Sequence, residues 1–327
     1  MPARLPFRNH GPDTRVRQFL VSVGPVLGLV AALVVLVPTV FWRGTDSVFT
    51  TPKVTLLAAG VLGVLGMRIF VSVRSAEVRR LPLCLTVAQL LLLVTLGLSA
   101  LASPTPSIAM TGAGVRHSGV LTWWLYMALF SCVVSAMVGR RTRALQGAFM
   151  VSAAGVVVYG LMQAEGVDPF DWAVSLSTGI GVQSTLGNPN FSSAFLALCL
   201  PFAVAFLFAR TTDALPRVVS AVLVGLIMVM EGHLSSTQGD VGVALSLVVA
   251  GIWLAGRPQG SRLRAALLVV PLVLLVLAVP TVLRGPGSVA WPPVVALSAL
   301  WGLAVVKVGG KPGGAEVAPG RLCRALR

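Results

Sequence analysis

Residues 184–209 read STLGNPNFSSAFLALCLPFAVAFLFA, a short polar turn followed at once by a long apolar run. The run is long enough to cross a bilayer, which takes roughly 20 apolar residues in a helix. Pro189 restricts Asn188 to extended backbone, and Asn190 is predicted to cap the helix that follows. These roles leave Gly187 and Asn188 unexplained. Because Asn amides bond sugar hydroxyls and a helix N-terminus suits a phosphate, the turn is also a candidate ligand site.

Similar apolar runs recur along the whole chain. Its 327 residues are 56% hydrophobic and 11% charged, with a mean hydropathy of +0.90, whereas a soluble domain carries about a quarter charged residues. Since unpaired backbone groups are not tolerated in lipid, the runs predict an all-α, polytopic membrane protein. We expect ten membrane spans, at about 19–41, 54–73, 81–102, 119–139, 145–163, 191–209, 216–230, 241–255, 265–283 and 290–306.

The basic residues between these runs predict the topology. The chain has 25 Lys and Arg residues and a net charge of +15. All of them lie on one side of the predicted membrane except Arg43, Lys53, Arg116 and Arg284. The positive-inside rule therefore places both termini in the cytoplasm. The basic residues do not form one face with interleaved aromatic residues, which argues against a nucleic-acid partner.

Composition divides the chain into three segments. Residues 1–18 are predicted to be a basic cytoplasmic arm, 19–306 the transmembrane domain, and 307–327 a Gly/Pro-rich basic tail that we expect to be disordered. The first apolar run is too long for a signal peptide and is interpreted as a permanent anchor. No cysteine falls in a predicted outer loop, so no disulfide is expected.

Polar chemistry is concentrated in the predicted outer loops at 42–53, 103–118, 164–190, 231–240 and 284–289. These loops contain six of the ten acidic residues: Asp46, Glu165, Asp168, Asp171, Glu231 and Asp240. The predicted spans contain almost no ionisable groups, which argues against an ion-coupled transporter. A site that acts at the outer membrane surface is favoured instead.

Five loop residues are candidates for chemistry. Arg116 and Lys53 are placed to hold a lipid-linked phosphate, although each is also interpretable as an interfacial cation with its charge in water. His117 is a candidate general base, or else a solvated loop histidine. His233 and Asp240 are candidates to activate a sugar hydroxyl, or else they are solvated loop residues.

Three segments resemble, in order and spacing, motifs of the O-antigen ligase and polymerase superfamily of bacterial membrane proteins. They are TDSVFTTPKVTLL (45–57), SPTPSIAMTGAGVRHSGVLTWWLYMALF (103–130) and STLGNPNFSSAFLALCLP (184–201). The resemblance implies transfer or polymerisation of glycan from an undecaprenyl-diphosphate carrier at the outer face of the cytoplasmic membrane. The acceptor would be a lipid, a glycan or a protein, as in lipopolysaccharide and other cell-envelope polysaccharides.

The resemblance also implies roles for individual residues. The reaction would be an inverting displacement at the anomeric carbon, without metal or other cofactor. Arg116 and Lys53 would offset charge on the diphosphate leaving group, and His117, His233 or Asp240 would deprotonate the acceptor. Donor binding would further involve a polar set from two loops: Gly187, Asn188, Asn190 and Gln238.

The chain departs from the family at two places, and these leave two alternatives open. Gln238 stands where the family has an arginine, and the loop at 284–289 is short and lacks the family's histidine. We therefore expect a missing or diverged C-terminal part. The alternatives are a non-catalytic glycolipid-binding subunit that needs a partner chain, and a transporter of lipid-linked sugar.

Overall fold

Helices account for all the regular secondary structure in the residues that the computed structural model describes, which are 14–75, 81–114, 116–136, 142–170, 182–208 and 214–255. This confirms the all-α class. In chain order the helices are α1 (Thr14–Thr39), α2 (Thr50–Ser75), α3 (Leu83–Leu101), α4 (Pro106–Thr111), α5 (Val120–Ala136), α6 (Thr142–Ala164), a 3₁₀ turn (Ser184–Leu186), α7 (Pro189–Leu207), α8 (Ala214–Leu234) and α9 (Thr237–Ala255).

Five of these helices are long and apolar enough to cross a membrane. They are Thr50–Arg74, Leu83–Leu101, Arg143–Ala164, Pro189–Leu207 and Ala214–Leu234. Three shorter apolar helices, Gly24–Thr39, Val120–Ala136 and Thr237–Gly251, accompany them. Each of the first eight predicted spans therefore falls on a helix. The spans predicted at 265–283 and 290–306, and the tail at 307–327, lie outside the described residues.

One helix boundary and one additional helix differ from the sequence-based expectation. Helix α1 begins at Thr14, inside the segment predicted as a basic arm, and the short helix α4 lies in a predicted outer loop. Pro106 opens α4 at the first helical position, where its missing N–H costs nothing. Polar or proline-rich composition alone did not reveal that these residues are helical.

The chain forms two compact units, the first of Met1–Ala173 with Gln183–Ser192 and the second of Val174–Val182 with Ser193–Arg327. In the first unit α1 packs against α2, α5 and α6. Its buried core consists of short aliphatic and small side chains: Val26, Leu27, Val30, Leu33, Val64, Val71, Cys132 and Ala136. Helix α3 buries Ala100, and most of its leucines are exposed, as expected for a helix surrounded by lipid tails.

The second unit contains most of α7 and all of α8 and α9. Helix α8 is the most buried, with Ile227 and Met230 fully enclosed. The Ser246 hydroxyl on α9 donates a hydrogen bond to the Ala197 carbonyl on α7 at 2.7 Å. Such a bond between membrane helices satisfies a hydroxyl that would otherwise face hydrocarbon.

Helices α1 and α2 approach closely at Gly60. A Cβ atom at Gly60 would lie 2.1 Å from Cδ2 of Leu33, which is itself buried in the core. Because lipid tails are as apolar as leucine, membrane helices associate through close packing rather than through exclusion of water. The missing side chain at Gly60 therefore sets the α1–α2 distance.

We predict that Gly60→Val destabilises the first unit by about 1–3 kcal/mol, because the added carbons overfill the α1–α2 contact. The matched control is Gly63→Ala on the same helix, where a Cβ meets nothing within 4 Å. Thermal unfolding of the purified chain in detergent micelles measures both. Equal losses for the two variants would contradict the close approach.

Candidate functional site

The Gly187–Asn190 turn begins α7 in a way that assigns a structural role to Asn188. Its Oδ1 accepts a hydrogen bond from the Asn190 backbone N–H at 2.9 Å, and its carbonyl accepts one from Ser192 N–H at 3.0 Å. Pro189 is the first helical residue, so Asn188 is the N-cap. The prediction that Asn190 caps the helix was wrong, because a proline at the first position places the cap one residue before it.

Gly187 is fixed by its backbone and by its neighbour. It has φ 72° and ψ 10°, the left-handed region that side chains disfavour. A Cβ atom at this position would lie 2.3 Å from ring carbons of Phe49, which comes from the predicted loop at 42–53. Both observations require glycine, and they explain a residue for which the sequence suggested only a ligand role.

The C-terminal end of α1 brings Lys53 and the residues before the turn together. The Thr185 hydroxyl donates to the Pro38 carbonyl at 2.8 Å, and Lys53 Nζ donates to the same carbonyl at 3.3 Å. Lys53 Nζ also donates to the Val40 carbonyl. The last carbonyls of a helix lack helical partners, and a cation there is favourable. Lys53, half-buried at the start of α2, thus caps α1.

Aromatic rings cluster beside this helix end. The Phe41 ring centroid lies 5.8 Å from Phe49, 5.1 Å from Tyr159 and 5.3 Å from Phe170. Phe41 follows α1, and Tyr159 belongs to α6. The cluster therefore joins the segment after α1 to α6, next to the ring that Gly187 contacts.

Asp168 organises the polar side of the aromatic cluster. It accepts hydrogen bonds from the Tyr159 hydroxyl at 3.1 Å, from Gln163 Nε2 at 3.0 Å and from the Phe170 backbone N–H at 3.0 Å. Gln163 Oε1 in turn accepts from the Ser184 backbone N–H at 2.8 Å. Sequence reasoning missed Tyr159 and Gln163, although two polar side chains near the end of an apolar span were a usable signal.

Arg116 and His117 lie in the tight loop between α4 and α5. Their backbone N–H groups both donate to the Ala113 carbonyl, at 2.8 and 3.0 Å. His117 has φ 47°, and its carbonyl accepts from the Thr122 hydroxyl at 2.6 Å. The Arg116 side chain is exposed and that of His117 is half-buried. The backbone of the loop is thus stabilised by hydrogen bonds within the loop and to the start of α5, and the Arg116 guanidinium lies at its surface.

Two glycines close the neck of this loop. A Cβ at Gly119 would lie 2.3 Å from the Gly112 backbone nitrogen, so the two backbones touch. Gly112 has φ 88°, which also favours glycine. The position of Arg116 therefore depends on two residues that carry no side chain.

The outer loop predicted at 231–240 is not a loop. Glu231 and His233 belong to α8, and Gln238 and Asp240 belong to the first turn of α9. Only two residues separate the helices, and Ser236 Oγ accepts from the Gly239 backbone N–H at 3.2 Å as the N-cap of α9. Because Ser236 caps α9 two residues after α8 ends, the polar residues here belong to helices and not to a loop. The polar composition of the sequence did not reveal this.

The candidate residues thus fall into separate places. Lys53 contacts the end of α1, and Gly187 contacts Phe49 in the loop before α2. Asn188 and the exposed Asn190 follow Gly187 in the same turn. Arg116 and His117 occupy their own loop in the same unit. The remaining candidates belong to the second unit: His233, Gln238 and Asp240. Among the described residues, no group of three or more His, Cys, Asp or Glu side chains is placed to hold a metal ion.

Comparison with known proteins gave no match: no family model, no curated protein and no solved structure corresponds to this chain. The functional assignment therefore depends on the residues and on their geometry. The two units supply different chemistry, with cations, amides and aromatic rings in the first and a buried acid in the second.

We predict that Asn188→Ala destabilises the start of α7 by about 1 kcal/mol, because the Asn190 N–H loses its acceptor. Asn188→Asp keeps an acceptor oxygen and adds negative charge at a helix N-terminus, so it should unfold like the parent. Thermal unfolding in micelles compares the two. If Asn188→Asp loses as much stability as Asn188→Ala, the capping role is refuted.

Proposed function

We propose that the chain is an O-antigen ligase- or polymerase-like protein that transfers glycan from an undecaprenyl-diphosphate donor. One observation carries the proposal. Two segments that are distant in sequence but share the family resemblance, 45–57 and 184–201, pack against each other through Phe49 and Gly187. Lys53 and Thr185, one from each segment, also share the Pro38 carbonyl. Joint contact is expected of segments that build one site.

The proposed setting is the cytoplasmic membrane of a bacterium. We propose ten spans with both termini in the cytoplasm, so that the loops predicted at 42–53, 103–118 and 164–190 face outward. The support is the distribution of Lys and Arg along the sequence. A donor lipid with its diphosphate at that surface would reach the loops without crossing the bilayer.

The proposed donor site uses exposed polar groups of the first unit. Asn190 is exposed in the first turn of α7, where the helix dipole favours a phosphate. The exposed Arg116 guanidinium, in its own loop of the same unit, is a second candidate for binding phosphate, by bidentate hydrogen bonding. Lys53 contributes positive charge while it caps α1, so its proposed role is supportive rather than direct.

The proposed reaction is a displacement at the anomeric carbon. The acceptor hydroxyl loses its proton to a base, its oxygen forms the new glycosidic bond, and the bond to the carrier diphosphate breaks. Arg116 would stabilise the charge that accumulates on the departing diphosphate. His117 is the candidate base in the same loop.

We predict that Arg116→Ala lowers glycan transfer at least about a hundredfold, since removing a group that stabilises developing charge has this effect in other enzymes. The test is expression of the 327-residue chain in a bacterial strain lacking the locus, with carrier-linked and transferred glycan both quantified. The matched control is Arg74→Ala, because Arg74 is exposed and stacks 4.7 Å from the Phe70 ring centre.

Restored transfer by the parent and by Arg74→Ala, but not by Arg116→Ala, is the expected result. If carrier-linked glycan accumulates although the parent inserts normally, the enzyme proposal is wrong. The chain would then be a glycolipid-binding subunit that needs a partner.

Asn188→Asp separates binding from stability in the same assay. The variant keeps the cap of α7, but its carboxylate repels a diphosphate, so transfer should fall while the amount of folded chain stays unchanged. Unchanged transfer would remove Asn188 from the donor site and leave it a purely structural residue.

A transporter of lipid-linked sugar is the second candidate, and Glu231 favours it. The sequence-based argument against a transporter assumed that the spans are nearly free of acids, yet Glu231 lies inside α8 and is buried. Intramembrane acids often mark transport pathways. A transporter would leave donor lipid at the cytoplasmic face when the locus is deleted, whereas loss of the transferase would leave it at the outer face.

A further inference from the structure

Glu231 is a buried acid in a candidate membrane-spanning helix. It is 5% exposed. The residues before it in α8, Ile227, Met228 and Met230, are buried as well. Acids within membrane segments are rare because their charge is poorly solvated there, so a buried one calls for a functional explanation.

The hydrogen bonding of Glu231 is incomplete. Its Oε2 accepts a bond from the Ser193 hydroxyl on α7, and Ser193 is fully buried. Its Oε1 is buried and has no hydrogen-bond partner. An ionised carboxylate normally accepts several bonds or pairs with a cation when it is removed from water.

Helix α9 closes the site from the other side. A Cβ at Gly239 would lie 1.3 Å from Ser193 Oγ and 2.8 Å from Glu231 Oε2, so only a glycine admits the Glu231–Ser193 pair. Asp240 follows Gly239 directly in the first turn of α9. The carboxyl is therefore in contact with a hydroxyl and lies beside a glycine, and a second acid follows that glycine in the sequence.

We infer that Glu231 is a proton-binding site within the helices of the second unit, a carboxylic acid that carries its proton at neutral pH and exchanges it with solvent. A neutral acid needs no counter-cation, and it removes the repulsion between Glu231 and Asp240. The Ser193 hydroxyl orients the carboxyl, and Gly239 provides the space for both. The inference is independent of the proposed glycan transfer.

Infrared difference spectroscopy of the full chain in lipid nanodiscs tests this inference. The carbonyl stretch of a protonated carboxyl is separate from the carboxylate bands. Glu231→Gln keeps the size of the side chain and an oxygen for Ser193. The parent-minus-variant spectrum at neutral pH should contain the protonated carbonyl band, and raising the pH should remove that band reversibly.

Two further variants test the assignment. Ser193→Ala removes the hydrogen bond to Oε2, so the band should move in frequency with its area unchanged. Asp240→Asn should leave the band in place. A band that disappears in Asp240→Asn instead of Glu231→Gln would assign the proton to Asp240 and overturn the inference.

The spectrum also has outcomes that overturn the inference directly. Carboxylate bands at neutral pH in the parent-minus-variant spectrum would show that Glu231 is ionised. If those bands shift when Na⁺ replaces a large organic cation, the site holds a metal cation rather than a proton. An unchanged band frequency in Ser193→Ala would refute the proposed orientation of the carboxyl.

Discussion

The carbonyl groups that end α1 lack helical partners, and the arrangement around the candidate donor site follows from how they are satisfied. Lys53 and Thr185 donate to the Pro38 carbonyl, so the start of α2 and the turn before α7 are both tied to α1. In an apolar environment an unpaired carbonyl is costly, so this free-energy cost favours the arrangement in which Lys53 and Thr185 donate to Pro38. Gly187 then packs on Phe49, and the aromatic cluster around Phe41 completes the junction.

This junction changes the meaning of the Gly-Asn-Pro-Asn turn. Gly187 and Asn188, which the sequence left for ligand binding, have structural roles as a left-handed residue and as the cap of α7. A capped helix end keeps its favourable dipole, so a structural role and phosphate binding are compatible. Exposed groups beside a rigid turn, such as Asn190 and Arg116, then become the more direct candidates for contact with a donor.

In the second unit, the short connector between α8 and α9 changes the environment of Glu231. The stretch EGHLSSTQGD has the polar composition of a loop, and the sequence pattern assigned it to the outer surface. Because Ser236 caps a new helix at once, Glu231 lies in α8 and is buried against Ser193. An acid expected in water thereby becomes an acid within the helices, and the argument that the membrane segments lack ionisable groups no longer holds.

The sequence alone determined the all-α class and placed the first eight spans on helices, because long apolar runs leave the backbone no other way to pair. It also placed the start of a helix at the Gly187–Asn190 turn. Tertiary structure decided the rest: that Asn188 caps α7, that Lys53 caps α1, and that Glu231 is buried. These outcomes depend on which carbonyl, ring or hydroxyl a side chain contacts. Contacts between segments that are distant in the chain produce no hydrophobic periodicity and no bias in composition, so the sequence pattern does not reveal them.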